Sequence, residues 1–286
     1  MTKLNERAML AQLNISQWTA RKLDRAETEA LNRSHGASDR AARVNKSLLP
    51  TSMSLDMIAR KATVIRDDYY FHTLPWAMNG ARIIKAEAYM EFIVRMRDHL
   101  HDWDGLVAQF VGEYPRLKVD AQRALGTLYK PDDYPSDHEI AGKFRAGMSF
   151  LPLPDAADWR IDCIDEAMDD LRAQVTRQVQ EGLGIAMREA WDRVRDVVVK
   201  ARDRLREPEA VFRNTLVTNA VELCQVLPAL NLTDDPHLEQ IRQELERSLC
   251  ACHPDDLRGS PVLRKDVAGK MDDIMRKMGA FYQQAA

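Results

Sequence analysis

A proline-free, highly charged run from about Ile164 to about Arg206 sets the strongest limit on what this chain can fold into. Along it, Val175, Val179, Leu183, Ala186, Ala190, Val194, Val197, Ala201 and Leu205 recur at gaps of four, four, three, four, four, three, four and four. That is the spacing of one helix face. An eleven-residue repeat advances at about 3.67 residues per turn, so the stripe stays almost straight and suits packing against a second helix. At about 1.5 Å per residue the helix is about 60 Å long, longer than a domain of this size is wide. It therefore projects or pairs, and these nine residues are the predicted helix-packing interface.

The rest of the chain is read as helical too. Ser16 is the expected N-cap of a helix through Trp18, Leu23 and Leu31 that ends near Ser34-His35-Gly36. Further helices are expected over 38–49, 54–66, 87–103, 106–114 and 117–128. Ser136-Asp137-His138-Glu139 has capping-box spacing, which predicts a helix from there to about Met148. Between Tyr69 and Ala86 lie several aromatics, Pro75 and Asn79-Gly80; an irregular turn between helices is the first reading and one short β-hairpin the second. Pro152 and Pro154 mark Phe150–Asp158 as the boundary between a helical N-terminal domain, 1–154, and a C-terminal domain, 155–286. In the latter, Pro208 opens a helix through Phe212, Leu216, Ala220, Leu223 and Leu227 that returns beside the long one as an αα-hairpin. Asp235-Pro236 starts another helix to about Leu249, and 263–282 forms the last. The expected class is all-α, a multi-helix front followed by a long projecting hairpin.

Composition narrows function by exclusion. With 286 residues, 45% of them hydrophobic, the chain can bury a core without disulfides or metals. A formal net charge of -3 removes the global basic excess of many nucleic-acid binders. The start, MTKLNERAML, has no cleavable apolar leader, so Cys163, Cys224, Cys250 and Cys252 are expected to be reduced thiols of a cytoplasmic protein. The most apolar region, Leu216–Leu232, is interrupted by Asn219, Glu222, Gln225 and Pro228, which argues against a membrane span.

No catalytic, cofactor or metal motif stands out. Cys250-Ala251-Cys252-His253 has zinc-ligand types but lacks a second matching pair. His99 and His101, two apart on a helix, point in different directions. Gly182-Leu183-Gly184 follows no strand and the helix stripe runs through it, so it marks close helix contact or a bend rather than a phosphate loop. The acidic pairs suit helix starts. Between Arg21 and Arg66 bases outnumber acids. Arg40, Arg43 and Lys46 lie near one helix face and Arg60-Lys61 follow, a set suited to phosphates, with Tyr69, Tyr70 and Trp76 available for stacking. A solvated face is the competing reading.

Short patterns along most of the chain resemble an uncharacterised family of phage and mobile-element proteins. They are Leu13-Asn14-Ile15-Ser16-Gln17-Trp18, Asn45-Lys46-Ser47-Leu48-Leu49-Pro50, Thr73-Leu74-Pro75-Trp76 with Asn79-Gly80-Ala81-Arg82-Ile83, Asp133-Tyr134-Pro135, Phe144, and Asn231-Leu232-Thr233-Asp234-Asp235-Pro236. The resemblance implies a gene neighbourhood with a MoxR/CobS-like AAA+ ATPase and a CobT-like protein carrying a von Willebrand factor A domain. The chain has no ATPase motif, so it would be an adaptor, substrate or regulatory partner of that remodelling system. The leading expectation is a non-enzymatic interaction protein that self-associates or docks a protein partner through its long helices. The alternative binds nucleic acid through Arg40, Arg43, Lys46, Arg60 and Lys61. A third class is an enzyme with its site near Tyr69–Arg82, which a buried Trp76 would disfavour.

Overall fold

The computed structural model describes residues 4–76, 80–155, 166–207 and 213–284. In chain order its elements are α1 (Leu4–Arg7), β1 (Ala8–Ser16), β2 (Arg21–Leu23), α2 (Arg25–Ser34), β3 (Asn45–Ser47), α3 (Met53–His72), β4 (Leu74–Pro75) and β5 (Arg82–Lys85). There follow α4 (Tyr89–Leu125), β6 (Arg145–Pro152), α5 (Glu166–Arg206), α6 (Thr215–Leu230), α7 (Pro236–Leu245), α8 (Pro254–Gly259) and α9 (Pro261–Gln284). Expected features that include Asn79, Cys163, Pro208 or Phe212 fall at those positions outside the described residues.

The all-α expectation is corrected by two sheets. One has four strands in the order β4-β5-β1-β6; the other pairs β2 with β3. In the first, β1 runs antiparallel to β5 with Ala8 opposite Lys85 and Leu10 opposite Ile83, and β5 antiparallel to β4 with Leu74 opposite Ile83. The strand pair within 69–86 is thus one half of a larger sheet. β4 and β5, two and four residues long, are too short to show a period of two, and β6 at the edge has no fully buried side chain, so alternation is weak in the sequence.

Other boundaries move for local reasons. Asp24, not Ser16, caps α2, its carboxylate accepting from Glu27 N. Residues 38–44 form a loop instead of helix, and β3 then pairs with β2, Lys46 opposite Lys22. The three expected helices over 87–128 merge into α4, which carries Pro115 inside it. Phe110, Tyr114, Leu117 and Ala121 stay buried on one face through that proline, so packing holds the helix despite the lost N–H. Only half of the Ser136–Glu139 box forms: Ser136 N and Oγ both donate to the Glu139 carboxylate, but Glu139 N donates to Ser136 O, and the helix expected to Met148 gives way to a turn, a short 3-10 helix over Ala141–Lys143 and then β6.

By its contacts the chain divides into two units. The first comprises Met1–Gln12, Tyr70–Phe92 and Ser149–Ala286; the second comprises Leu13–Tyr69 and Ile93–Met148. This is an interleaved division, not a single cut near residue 154. In the second unit the α4 aromatics Trp103, Phe110 and Tyr114 pack with Trp18 and Phe144, ring centroids 5.3–6.3 Å apart. In the first unit α5 packs most extensively on α9, with α6 and β4 as further neighbours. Asp235 caps α7 with Pro236 at its first turn, as its sequence indicates.

Candidate functional site

The basic residues singled out in the sequence meet different fates. Lys46 is 7% exposed, and its ammonium lies 2.6 Å from Asp133 and 3.4 Å from Asp24, while Lys22 pairs with Asp133 from outside. Burial pulls the Lys46 ammonium down, but the Asp133 and Asp24 carboxylates outweigh it and hold it above the ordinary lysine value. Burial likewise opposes the charge on Asp133, and Lys22 and Lys46 outweigh it and keep that carboxyl below its usual range. Lys46 also donates to Leu128 O. This lysine is a structural tie with no charge to spare for a phosphate. Lys61 pairs with Asp102 at 2.7 Å and reaches His99 Nδ1 at 3.1 Å. Arg40, Arg43 and Arg60 remain exposed.

Arg43 belongs to a different constellation. With Arg25 and Arg33 of α2 it lines a concavity of about 770 Å³, shared with Leu23, Thr28, Glu29, Gly36, Ala37 and Asp39. The loop that brings Arg43 back is clamped from beneath. Buried Asn32 donates to Asp39 O and Ala42 O and accepts from Ala42 N; Thr28 Oγ accepts from Val44 N. Gly36 makes the reversal at φ +60, a conformation glycine adopts freely. Arg25, Arg33 and Arg43 form no ion pair among the described residues. Three guanidinium groups against Glu29 and Asp39 leave a local positive excess suited to an anionic group.

The α5 stripe is divided along its length. Ala186, Ala190, Val194, Ala201 and Leu205 are buried in the first unit's core; Val198 is fully buried where the pattern had placed Val197, which is half-buried. Val179 and Leu183 pack partly on the same core, and Val175 is half-buried. From 170 to 181 no side chain is fully buried. Most of the predicted interface is therefore covered by α6 and α9 of the same chain. Gly182 is the tightest point. A Cβ built there would lie 2.7–2.9 Å from the Trp76 indole, whereas Gly184 has nothing within 4 Å.

Compared with protein-family models, curated proteins and solved structures, the chain matches none.

In the Tyr69–Arg82 region Trp76 is buried, 5% exposed. Its arginine is engaged: Arg82 donates to Thr73 Oγ1, Thr73 O and Tyr70 O and lies 4.8 Å from the Tyr70 ring centroid. Arg193 of α5 donates to the same carbonyls, Tyr70 O and Thr73 O, and to Phe71 O at 2.8 Å. Two guanidinium groups thus satisfy the carbonyls left open at the end of α3. Among the described residues no group of three or more His, Cys, Asp or Glu is placed to hold a metal ion, and no helix is long and apolar enough to cross a membrane.

One surface went unnoticed in the sequence. On α3 the core face is Ile58, Ala62, Ile65 and Tyr69, all buried. Met53, Met57, Arg60 and Val64 fall within about 60° of one another on the far side of the helix. Met53 is 79% exposed, Met57 43% and Val64 48%. Their spacing of four, three and four was present, but it ran under the stronger core stripe of the same helix.

Proposed function

We propose that this chain is a non-enzymatic interaction protein that self-associates, two copies meeting on the outer face of α3. The observation that carries this reading is the exposed Met53–Met57–Val64 stripe. Unbranched methionines suit an adaptable contact surface. Asp56, Arg60 and Asp67, all exposed, border the stripe with both charge signs, which an antiparallel pairing of two identical faces brings into opposition. At about 1.5–3 kcal/mol per fully buried apolar side chain, the exposed portions of these three residues supply about 3 kcal/mol per copy and about 6 for the pair. Association itself costs at least about 4 kcal/mol. The resulting assembly is weak and concentration-dependent. The resemblance to phage and mobile-element proteins supports extending the proposal to an adaptor or partner of an AAA+ ATPase in a host cytoplasm. Light scattering of the native chain and of Met53→Ser/Met57→Ser across a concentration series tests the self-association; loss of the larger species in the variant supports it.

The arginine concavity favours a second reading, nucleic-acid binding through Arg25, Arg33 and Arg43 with Arg40 beside them. Lys46 and Lys61 leave that set because carboxylates already hold them. Binding of single-stranded or duplex DNA that weakens steeply with salt and falls on Arg33→Gln/Arg43→Gln supports this version; binding indifferent to both changes removes it.

A further inference from the structure

The thiols of Cys224 and Cys250 lie 3.8 Å apart within the first unit, a contact that neither reading above uses. Cys224 sits on α6 and is 4% exposed. Cys250 ends a π-helical turn, Glu246–Cys250, that continues α7. Such turns are rare and shift every later residue around the helix axis. Cys250 is partly exposed, whereas Cys252, two residues on, has its thiol held on Ser248 O at 3.1 Å. One residue of the close pair is thus partly exposed and the other is buried.

The geometry points to Cys224 and Cys250 as a reversible oxidation site that closes to an intramolecular disulfide when the chain meets a hydroperoxide. The Cys250 sulfur attacks as thiolate. An S–O bond forms, the O–O bond breaks, and the leaving hydroxide takes a proton to become water, leaving a sulfenic acid on Cys250. Cys224, deprotonating as it attacks, then forms the S–S bond. The S–O bond breaks, and hydroxide leaves with the Cys224 proton as a second water. Two thiols are oxidised by two electrons, and hydrogen peroxide is reduced to two waters. The sulfurs must close from 3.8 Å to about 2.05 Å.

Burial agrees with these roles. Either thiol can donate in the Cys224–Cys250 hydrogen bond, the Cys224 S–H also faces Arg242 O at 3.7 Å, and burial pushes the Cys224 thiol up. Of the charged groups facing the pair, Glu246 opposes the thiolate at Cys250, and Arg242 favours it at Cys224.

Native chain treated with hydrogen peroxide, alkylated and analysed by mass spectrometry tests the assignment. The expected result is a loss of about two mass units, two cysteines blocked to alkylation, a Cys224–Cys250 cross-linked peptide, and full reversal by dithiothreitol. In Cys224→Ser, Cys250 should stop at a sulfenic acid trapped by dimedone. In Cys250→Ser, oxidation of Cys224 should be at least about tenfold slower, as its burial demands. A disulfide that includes Cys163 or Cys252, a cross-link between two chains, or sulfinic acid at Cys250 with no disulfide in the native chain would overturn the proposal. The native-chain mapping decides the matter even if either serine variant fails to fold.

Discussion

Two glycines of α5, two residues apart, should respond differently to the same substitution. At Gly184 a methyl group meets nothing within 4 Å, so Gly184→Ala gains helix propensity alone, about 1 kcal/mol. At Gly182 the same methyl group would sit 2.7 Å from Cε2 and Cζ2 and 2.9 Å from Cδ2 of Trp76. Those are atoms of the ring body, not the tip of a flexible chain, and Trp76 is buried among residues of the first unit's core. Overpacking of that kind costs about 1–3 kcal/mol, which cancels or exceeds the propensity gain. Gly182→Ala is therefore expected to be neutral to about 2 kcal/mol destabilising, and to lie about 1–3 kcal/mol below Gly184→Ala. Urea unfolding with a matched denaturant slope measures both. In the background Trp76→Leu the penalty at Gly182 should shrink, since the interfering ring is gone. A Gly182→Ala chain as stable as Gly184→Ala in the native background would refute the contact and the reason given for this glycine.

Lys46→Met leaves the Asp24 and Asp133 carboxylates without their central cation and should cost about 3 kcal/mol near neutral pH, read by urea unfolding. Both carboxylates have folded values below their unfolded ones, so the stability they contribute is present above about pH 4 and lost as pH falls through the folded values. The difference between Lys46→Met and the native chain should accordingly narrow below about pH 4; a constant difference would count against the triad. Lys46 itself is raised, so its contribution is present below about pH 10 and fades as pH climbs through its folded value. Arg193→Met removes three charge-assisted bonds to the end of α3 and should cost about 2 kcal/mol, with faster amide exchange confined to the last turn of that helix as the distinguishing readout.

What the sequence made legible was local. The α5 run and the Asp235-Pro236 start of α7 each depend on residues within one or two turns of each other, and each forms; the Ser136–Glu139 spacing yields a side-chain contact without the helix to Met148, because 145–152 is drawn into the sheet as β6. The sheets depend on distant partners: Ala8 pairs with Lys85 and β6 joins β1 from the other half of the chain. No window over 8–16 reveals that, and the two-residue β4 leaves no periodicity at all. Charge reading failed at Lys46 for the same reason. Its neutralising acids, Asp24 and Asp133, are remote in sequence, so a basic residue counted as available is already occupied. Arg43 was noticed, but its grouping with Arg25 and Arg33 rests on the return of the 35–44 loop onto α2, which Asn32 and Thr28 enforce and residue spacing does not announce. The α5 stripe was found nearly in register; its coverage by α9 and α6 could come only from the fold.

Sedimentation equilibrium over a wide concentration range, on the native chain and on Met53→Ser/Met57→Ser, tests the central claim most directly. The account predicts that the native mass rises with concentration from 32.7 kDa toward twice that value, unchanged by added DNA, and that the variant stays at the monomer mass throughout. A native chain that remains a monomer at every concentration, or a variant that associates as the native chain does, would contradict it.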